Sequence, residues 1–406
     1  MMSSLTEPHI VVLSSLFPNC RQPLPGVFVR ERMFRVAEQL PLTVVAPVPW
    51  FPLQWLVRRF RPGFRPPAPG TEIQAGITVF HPRFFSVPGA FKFLDGLLMA
   101  LGCVRRMRCL KREHRLDIID AHFAYPDGYA AVLLGRWLRV PVTITLRGTE
   151  ARHVADPVLA PLVHAALSRA GRVFSVSDSL RQLAIAAGVD PAKVQVIGNG
   201  VDITKFSPQS RARARELLQI PSHAKVIVTV GGLVERKGFH RVIAAIPELR
   251  AKFPSLLYLI VGGPSPEGDW TNRLSQMVAA QQLDGAVRFL GPMAADRLKE
   301  PLSAADVFVL ATRNEGWANV LLEAMACGLP VVVTDVGGNR EVVADPDLGV
   351  VIPFDDHQAL VNAIAQALNK EWDREAIRAH AEANTWDTRV VTLVNEFRTL
   401  VNEGVQ

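Results

Sequence analysis

Asn314-Glu315-Gly316-Trp317-Ala318-Asn319-Val320-Leu321-Leu322-Glu323-Ala324-Met325-Ala326-Cys327-Gly328-Leu329-Pro330 runs directly into Val331-Val332-Val333-Thr334-Asp335-Val336-Gly337-Gly338. It holds two carboxylates, Glu315 and Glu323, with seven residues between them. The first sits in a turn-like segment. The second sits in an apolar helical pattern that Asn319 is placed to cap. Gly328 and Pro330 end that helix, and the valine run that follows reads as a buried strand. Both acids therefore lie near one strand–helix junction, where open α/β sheets bind nucleotides.

Working outward, the same alternation fills the chain. Strand-like runs occupy 9–13, 42–46, 77–80, 117–121, 142–146, 173–176 and 194–197, then 226–230, 257–261, 287–290, 307–310, 331–334 and 350–352. Helical patterns fill most of the gaps. Strands alternating with helices imply parallel sheets covered on both faces, and two such series imply two doubly wound α/β domains. The 406 residues suit two domains of roughly 200. Gly198-Asn199-Gly200-Val201-Asp202-Ile203-Thr204-Lys205-Phe206-Ser207-Pro208 has the Gly, Asn and Pro content of a linker. The expected division is 1–203, 204–375 and a helical tail, 376–406, that crosses back onto the first domain.

Composition narrows the class. Hydrophobic residues make up 49% and charged residues 20%, as in a folded globular chain. The mean hydropathy of +0.17 raises the question of a membrane, but no apolar run reaches the roughly 18 residues that spanning needs. The start, Met1 to Glu7, lacks the basic and apolar regions of a signal peptide, so a cytoplasmic location is expected. Cys20, Cys103, Cys109 and Cys327 form no Cys-x-x-Cys pair and fit reduced thiols. Residues 1–200 hold 24 Lys+Arg and 13 Asp+Glu, a net of +11, and the remainder holds 21 and 25, a net of −4. The basic half is expected to face something anionic.

Several strand ends carry candidate chemistry. Gly26 follows the first strand, where a glycine lets backbone amides approach a phosphate; it reads equally as a turn glycine. His122 ends the 117–121 run, in Asp117-Ile118-Ile119-Asp120-Ala121-His122. Arg147 and Glu150 follow the next strand and either touch a polar ligand or solvate a strand end. Thr229-Val230-Gly231-Gly232-Leu233-Val234-Glu235-Arg236-Lys237-Gly238 places a strand, two glycines and a basic pair before a helix. That order suits a diphosphate cradle, with Lys237 as a point charge and Arg236 as a fork. Glu323 on its helix is placed to hold ribose hydroxyls, or else is a solvated face residue. Trp50 to Arg65 and Phe91 to Arg112 interleave aromatic, leucine and arginine residues. They suit an anionic bilayer interface, with a plain basic surface as the alternative; no nucleic-acid-binding motif accompanies them.

Taken together, these residues resemble the family-4 retaining glycosyltransferases of the GT-B fold. The resemblance rests on the Gly26 loop, Asp117-Ile118-Ile119-x-Ala121-His122, Val176-Ser177-Asp178-Ser179, Asn199-Gly200-Val201-Asp202-x-x-x-Phe206, Lys237-Gly238 and the Glu315 to Val332 block. These occur in the family's order and cover about nine-tenths of the chain. The flavour is that of enzymes building bacterial exopolysaccharide, lipopolysaccharide or teichuronic-acid chains. The resemblance implies two Rossmann-like domains facing across a cleft, with a nucleotide-diphosphate sugar on the second and the acceptor, a glycan or lipid-linked hydroxyl, on the first. It implies catalytic roles for Glu315, His122 and Lys237, and donor contacts from Gly26, Gly231, Gly232, Arg236, Lys237, Glu315, Asn319, Val320 and Glu323. Arg147 and Glu150 would bind acceptor. The family usually has Arg where Gly232 stands, and Arg236 is the candidate replacement. It often has His at Arg147 and Asp at Glu150, and its Phe-Gly after the first Glu-Gly is here Trp317-Ala318.

No cofactor or metal is expected, because cations and helix N-termini around the diphosphate stabilise the departing charge and the chain reads as having no Asp-x-Asp motif to hold one. A peripheral position at the inner face of the cell membrane is expected. Within the fold, a sugar-nucleotide epimerase or hydrolase is the alternative; from another class, a non-catalytic nucleotide-sugar-binding subunit. A dehydrogenase is disfavoured, because no Gly-x-Gly-x-x-Gly follows the first strand.

Overall fold

The computed structural model describes residues 7–23, 25–61, 64–265 and 267–403. The start of the chain, read above for a signal peptide, lies outside the described residues, as do Pro62 and Gly63 of the first aromatic-basic stretch. The chain divides into two units: residues 1–198 with 387–406, and residues 199–386.

Unit 1 carries β1 (Ile10–Leu13), β2 (Leu42–Val45), β3 (Val48–Trp50), β4 (Thr71–Gln74), β5 (Ile77–Phe80), β6 (Arg83–Phe85), β7 (Ile118–His122), β8 (Val142–Leu146), β9 (Arg172–Ser175) and β10 (Val194–Val196). Eight of them form one sheet in the order β10-β9-β8-β7-β1-β2-β5-β4, and β3 and β6 form a separate pair. The sheet is parallel except at one edge, where β4 runs antiparallel to β5. That edge corrects the expectation of parallel strands throughout. The sequence reading also passed over β3, β4 and β6, which are short. In β4 only Ile73 is apolar, and it is exposed.

Unit 2 carries β11 (Val226–Val230), β12 (Leu257–Val261), β13 (Val287–Gly291), β14 (Val307–Leu310), β15 (Val331–Thr334) and β16 (Gly349–Ile352), in the order β13-β12-β11-β14-β15-β16, all parallel. Val226 and Val228 turn to one apolar cluster and Ile227 to another. A strand buried on both faces needs apolar residues at every position rather than alternate ones, which is why these valine-rich runs are legible.

The segment read as a linker is partly core. Val201 and Phe206 are buried in unit 2, and the Val201 amide donates to the Asn384 carbonyl at 3.1 Å. The tail divides later than expected. The helix Arg374–Ala383 belongs to unit 2, and the helix Trp386–Glu403 supplies Val390, Leu393, Val394 and Phe397 to the core of unit 1. Phe397 meets Phe174 of β9 edge-on, with ring centroids 6.1 Å apart.

Candidate active site

In unit 2 the exits of β11 and β14 are brought together. Glu315 Oε1 accepts from Lys237 Nζ at 2.7 Å, from Arg236 Nη1 at 3.1 Å and from Thr312 Oγ1 at 3.2 Å. The carboxylate is mostly buried and the two cations are partly exposed, so their charge is held at the rim of the sheet. Arg236 also forks onto Glu267 at 2.6 and 2.9 Å and donates to the Asn314 carbonyl at 2.7 Å. Hydrogen bonding to Glu267 and the nearby Glu315 charge hold its guanidinium above its usual value against the opposing effect of burial.

Glycines make this convergence possible. Gly238 precedes the helix Phe239–Lys252 at φ +77°, and a Cβ there would lie 1.8 Å from the Ala311 carbonyl. Gly337, after β15, has φ +53°, and its Cβ would meet the Glu315 carbonyl at 1.7 Å. No side chain fits at either position. Gly231 lies under the Lys237 side chain, and a Cβ at Gly232 would press on Ser265.

The helix Asn319–Ala326 begins at Asn319, with Ala318 in the cap position and no side-chain cap bond. The expected N-cap role of Asn319 is thus replaced: its Oδ1 accepts from Asn199 Nδ2 at 2.9 Å. Asn319 and Glu323, four apart, share one helix face, and Glu323 is partly buried. Val320 packs its side chain on the unit 2 core, which leaves its first-turn amide as its polar group.

The unit 1 candidates form a second centre. His122, the last residue of β7, is 0% exposed. Its Nδ1 accepts from Arg147 Nε at 3.2 Å and Nη2 at 3.0 Å, so the proton of the neutral ring belongs on Nε2, which faces Asp120 Oδ2 at 3.3 Å. Burial first, and the Arg147 charge second, push His122 down to about 4. Thr143 donates to Asp120 Oδ1 at 2.7 Å. Arg32, also buried, donates to the Ile197 carbonyl, and burial brings it down to about 10 against the pull of Asp120. His122 is thus fully buried, with Nδ1 taken by Arg147 and with Nε2, beside Asp120, lacking a hydrogen-bond partner among the described residues. Arg147 is partly exposed and lies over the Phe28 ring.

Glu150 also differs from expectation. It is 1% exposed, its Oε1 accepts from the Ala124 amide, and its Oε2 accepts from the Arg147 and Gly148 amides. It holds two loop backbones together in place of facing an acceptor. Gly26 lies in unit 1 at φ +76°, where a Cβ would meet the Leu16 carbonyl at 2.1 Å. The adjacent Ser15 donates its amide and hydroxyl to Asp127, whose acid burial pushes up to about 7.

The sequence does contain one Asp-x-Asp, Asp345-Pro346-Asp347. It lies on an exposed turn where Asp345 accepts from the Asp347 amide and Asp347 pairs with Lys370. No cluster of three metal-ligating side chains occurs among the described residues. Thr312 and Glu267 escaped the sequence reading: Thr312 was within reach as a polar residue at the exit of β14, whereas nothing near Glu267 in the sequence pointed to it.

Two lobes with parallel sheets, and cations gathered at strand exits, have close parallels among known proteins. Residues 54–205 match the description "Glycosyltransferase Family 4", and residues 210–384 match "Glycosyl transferases group 1". A D-inositol 3-phosphate glycosyltransferase of Corynebacterium urealyticum is 31% identical over 319 residues, 71% of this chain and 73% of its own length. The chain is a family-4 glycosyltransferase of the GT-B fold. The enzyme is also 28% identical over 367 residues to a putative teichuronic acid biosynthesis glycosyltransferase of Bacillus subtilis, covering 88% of each chain. Among solved structures, sucrose-phosphate synthase from Thermosynechococcus elongatus superposes with a TM-score of 0.78 at 20% identity, over 98% of the enzyme and 100% of that chain. Anabaena HepE, solved in complex with UDP, gives 0.73 at 18%, over 97% and 100%; these likenesses support the fold.

Proposed function

We propose that the enzyme moves a sugar, with retention at the anomeric carbon and without a metal, from a nucleotide-diphosphate sugar to a hydroxyl of a glycan or lipid-linked acceptor at an anionic membrane surface. The carrying observation is the meeting of Lys237, Arg236 and Thr312 on one oxygen of Glu315. The bond from the anomeric carbon to the phosphate oxygen breaks, and negative charge gathers on the departing diphosphate. Lys237 neutralises it as a point charge. Arg236, anchored by Glu267, supplies the second cation that Gly232 cannot. The acceptor oxygen bonds to the anomeric carbon on the face the phosphate leaves, and the phosphate oxygen takes the acceptor's proton.

Glu315 binds hydroxyls of the donor sugar, Glu323 those of the ribose, and Gly231, Gly232, Asn319 and Val320 line the donor site. In unit 1, His122 orients Arg147, the candidate acceptor-binding residue. HepE has been solved with UDP and with UDP-glucose, which makes UDP-sugars the first donors to try.

The test is a thermal-shift panel of UDP-, GDP- and ADP-sugars followed by turnover. A donor at 100 times its Kd adds about 2.7 kcal/mol of stability. Lys237→Ala and Glu315→Gln are expected to lower transfer by about 100-fold or more while the protein stays folded by circular dichroism. Wild-type turnover in both variants would remove these residues from the site. Release of sugar and nucleotide into water alone, with no transfer, would mark a hydrolase.

A further inference from the structure

Unit 1 displays two runs of large apolar side chains to solvent. Trp55, at 65% exposure, and Phe60, at 79%, lie with Leu56 on the helix Gln54–Phe60. Phe91, at 65%, Leu97 and Leu101 lead along the helix Asp95–Arg112. The pair β3–β6 brings the runs to one edge. These strands are parallel, Trp50 and Phe85 are register partners at their C-terminal ends, and each strand leads directly into its run. Polar ties fasten the two runs. Arg58 Nη2 donates to the Arg65 carbonyl at 2.6 Å, Arg65 Nη1 to the Ser86 carbonyl at 2.8 Å, and Lys92 Nζ to Ser86 Oγ at 3.1 Å.

The helix Asp95–Arg112 has a graded outer face. Leu97, Leu101, Arg105, Arg108 and Arg112 follow at spacings of four, four, three and four, and all are exposed. Met99, Cys103, Met107 and Leu110 form the buried stripe. The outer face is thus apolar at its beginning and cationic at its end. From residue 50 to 115 the chain holds twelve Lys+Arg and three Asp+Glu. Exposed aromatics beside an arginine-rich face complement a surface with an apolar interior and negative headgroups. No helix among the described residues is long and apolar enough to cross a membrane, so such a face would dock and not span.

The face is joined to the candidate centre of the same unit. Tyr125, in the loop that follows β7 and His122, donates its hydroxyl to the Lys92 carbonyl at 2.5 Å and accepts from the Gly96 amide at 3.3 Å. A Cβ on Gly96 would lie 3.1 Å from the Tyr125 ring and 3.3 Å from the Pro126 carbonyl, so the start of the long helix is pressed against this loop.

We propose that this face docks the enzyme on an anionic bilayer and that docking is felt at the loop after β7 through the Tyr125 contact. The proposal depends on the glycosyl-transfer reading only for its purpose, because vesicle binding requires no donor. The full chain is sedimented with vesicles of phosphatidylcholine alone or with one-third phosphatidylglycerol added. Preference for the anionic vesicles, weakened by salt, is expected. Trp55→Glu with Phe60→Glu, and separately Arg105→Glu with Arg108→Glu, should each weaken binding by about tenfold or more while the donor-induced thermal shift stays as in wild type. Hydrogen exchange should slow at 53–60, 91–101 and 123–128 when anionic vesicles are added, and in Tyr125→Phe at the first two segments only. Equal binding to both vesicle types, or sedimentation of the protein without lipid that the same variants abolish, would overturn the docking assignment, the latter marking a self-association face. Unchanged exchange at 123–128 in wild type would overturn the link to the loop.

Discussion

His122 and Asp127 lie within one short stretch of unit 1, and burial shifts them in opposite directions. His122 is near 4 in the folded protein against about 6.5 unfolded, so the unfolded chain takes the proton more readily. Its contribution to stability is complete above about 6.5 and is lost as pH falls from there toward 4, by about 3 kcal/mol for a shift of this size. Asp127, raised to about 7, works the other way: stability is complete below about 4 and declines as pH rises through 7. Melting temperatures measured from pH 4.5 to 8.5 should show His122→Gln losing less stability than wild type as pH falls from 6.5 to 4.5, and Asp127→Asn losing less as pH rises from 4.5 to about 7. At this scale the sequence revealed residue types at strand ends, which is how Lys237, Glu315 and Arg147 became candidates. It did not reveal what each side chain faces. Glu150 and His122 have the right type and position for substrate contact, yet both are buried, with the Glu150 carboxylate taken up by backbone amides and His122 Nδ1 by Arg147.

Elements are legible where burial forces a pattern. β11, β12, β14 and β15 are nearly continuous apolar runs because each is covered on both faces. β4 carries Glu and Gln beside one exposed isoleucine, and β3 and β6 are three residues long, so no periodicity marks them. The loops between elements carry the tightest steric demand. Gly337→Ala would put a methyl group into the Glu315 carbonyl at a positive φ. It should cost about 1–3 kcal/mol and weaken donor binding, read as a lower melting temperature and a smaller donor-induced shift. Gly285→Ala, with nothing within 4 Å of its Cβ, is the control and should change stability little or raise it slightly.

At the scale of the molecule, the sequence showed two α/β series and a tail that returns to the first. It placed the return too early, because the helix Arg374–Ala383 has the same amphipathic character whichever unit it covers. Its buried Ile377 and Ala381 in fact join the core of unit 2. The last helix is tied to unit 1 through Phe397. Phe397→Ala should remove about 3–5 kcal/mol, seen in calorimetry as a lowered transition for unit 1, with the donor-induced shift of unit 2 retained.

The discontinuity of unit 1 has a consequence for how the chain is made. Its sheet strands emerge from the ribosome before any part of unit 2, yet Val390, Leu393, Val394 and Phe397 come after all of it. Throughout the synthesis of residues 199–386, the apolar floor formed by Ile10, Val12 and Phe174 waits without its cover. The half that is translated first is therefore completed second, and for that interval it is the half of the nascent chain most in need of a chaperone.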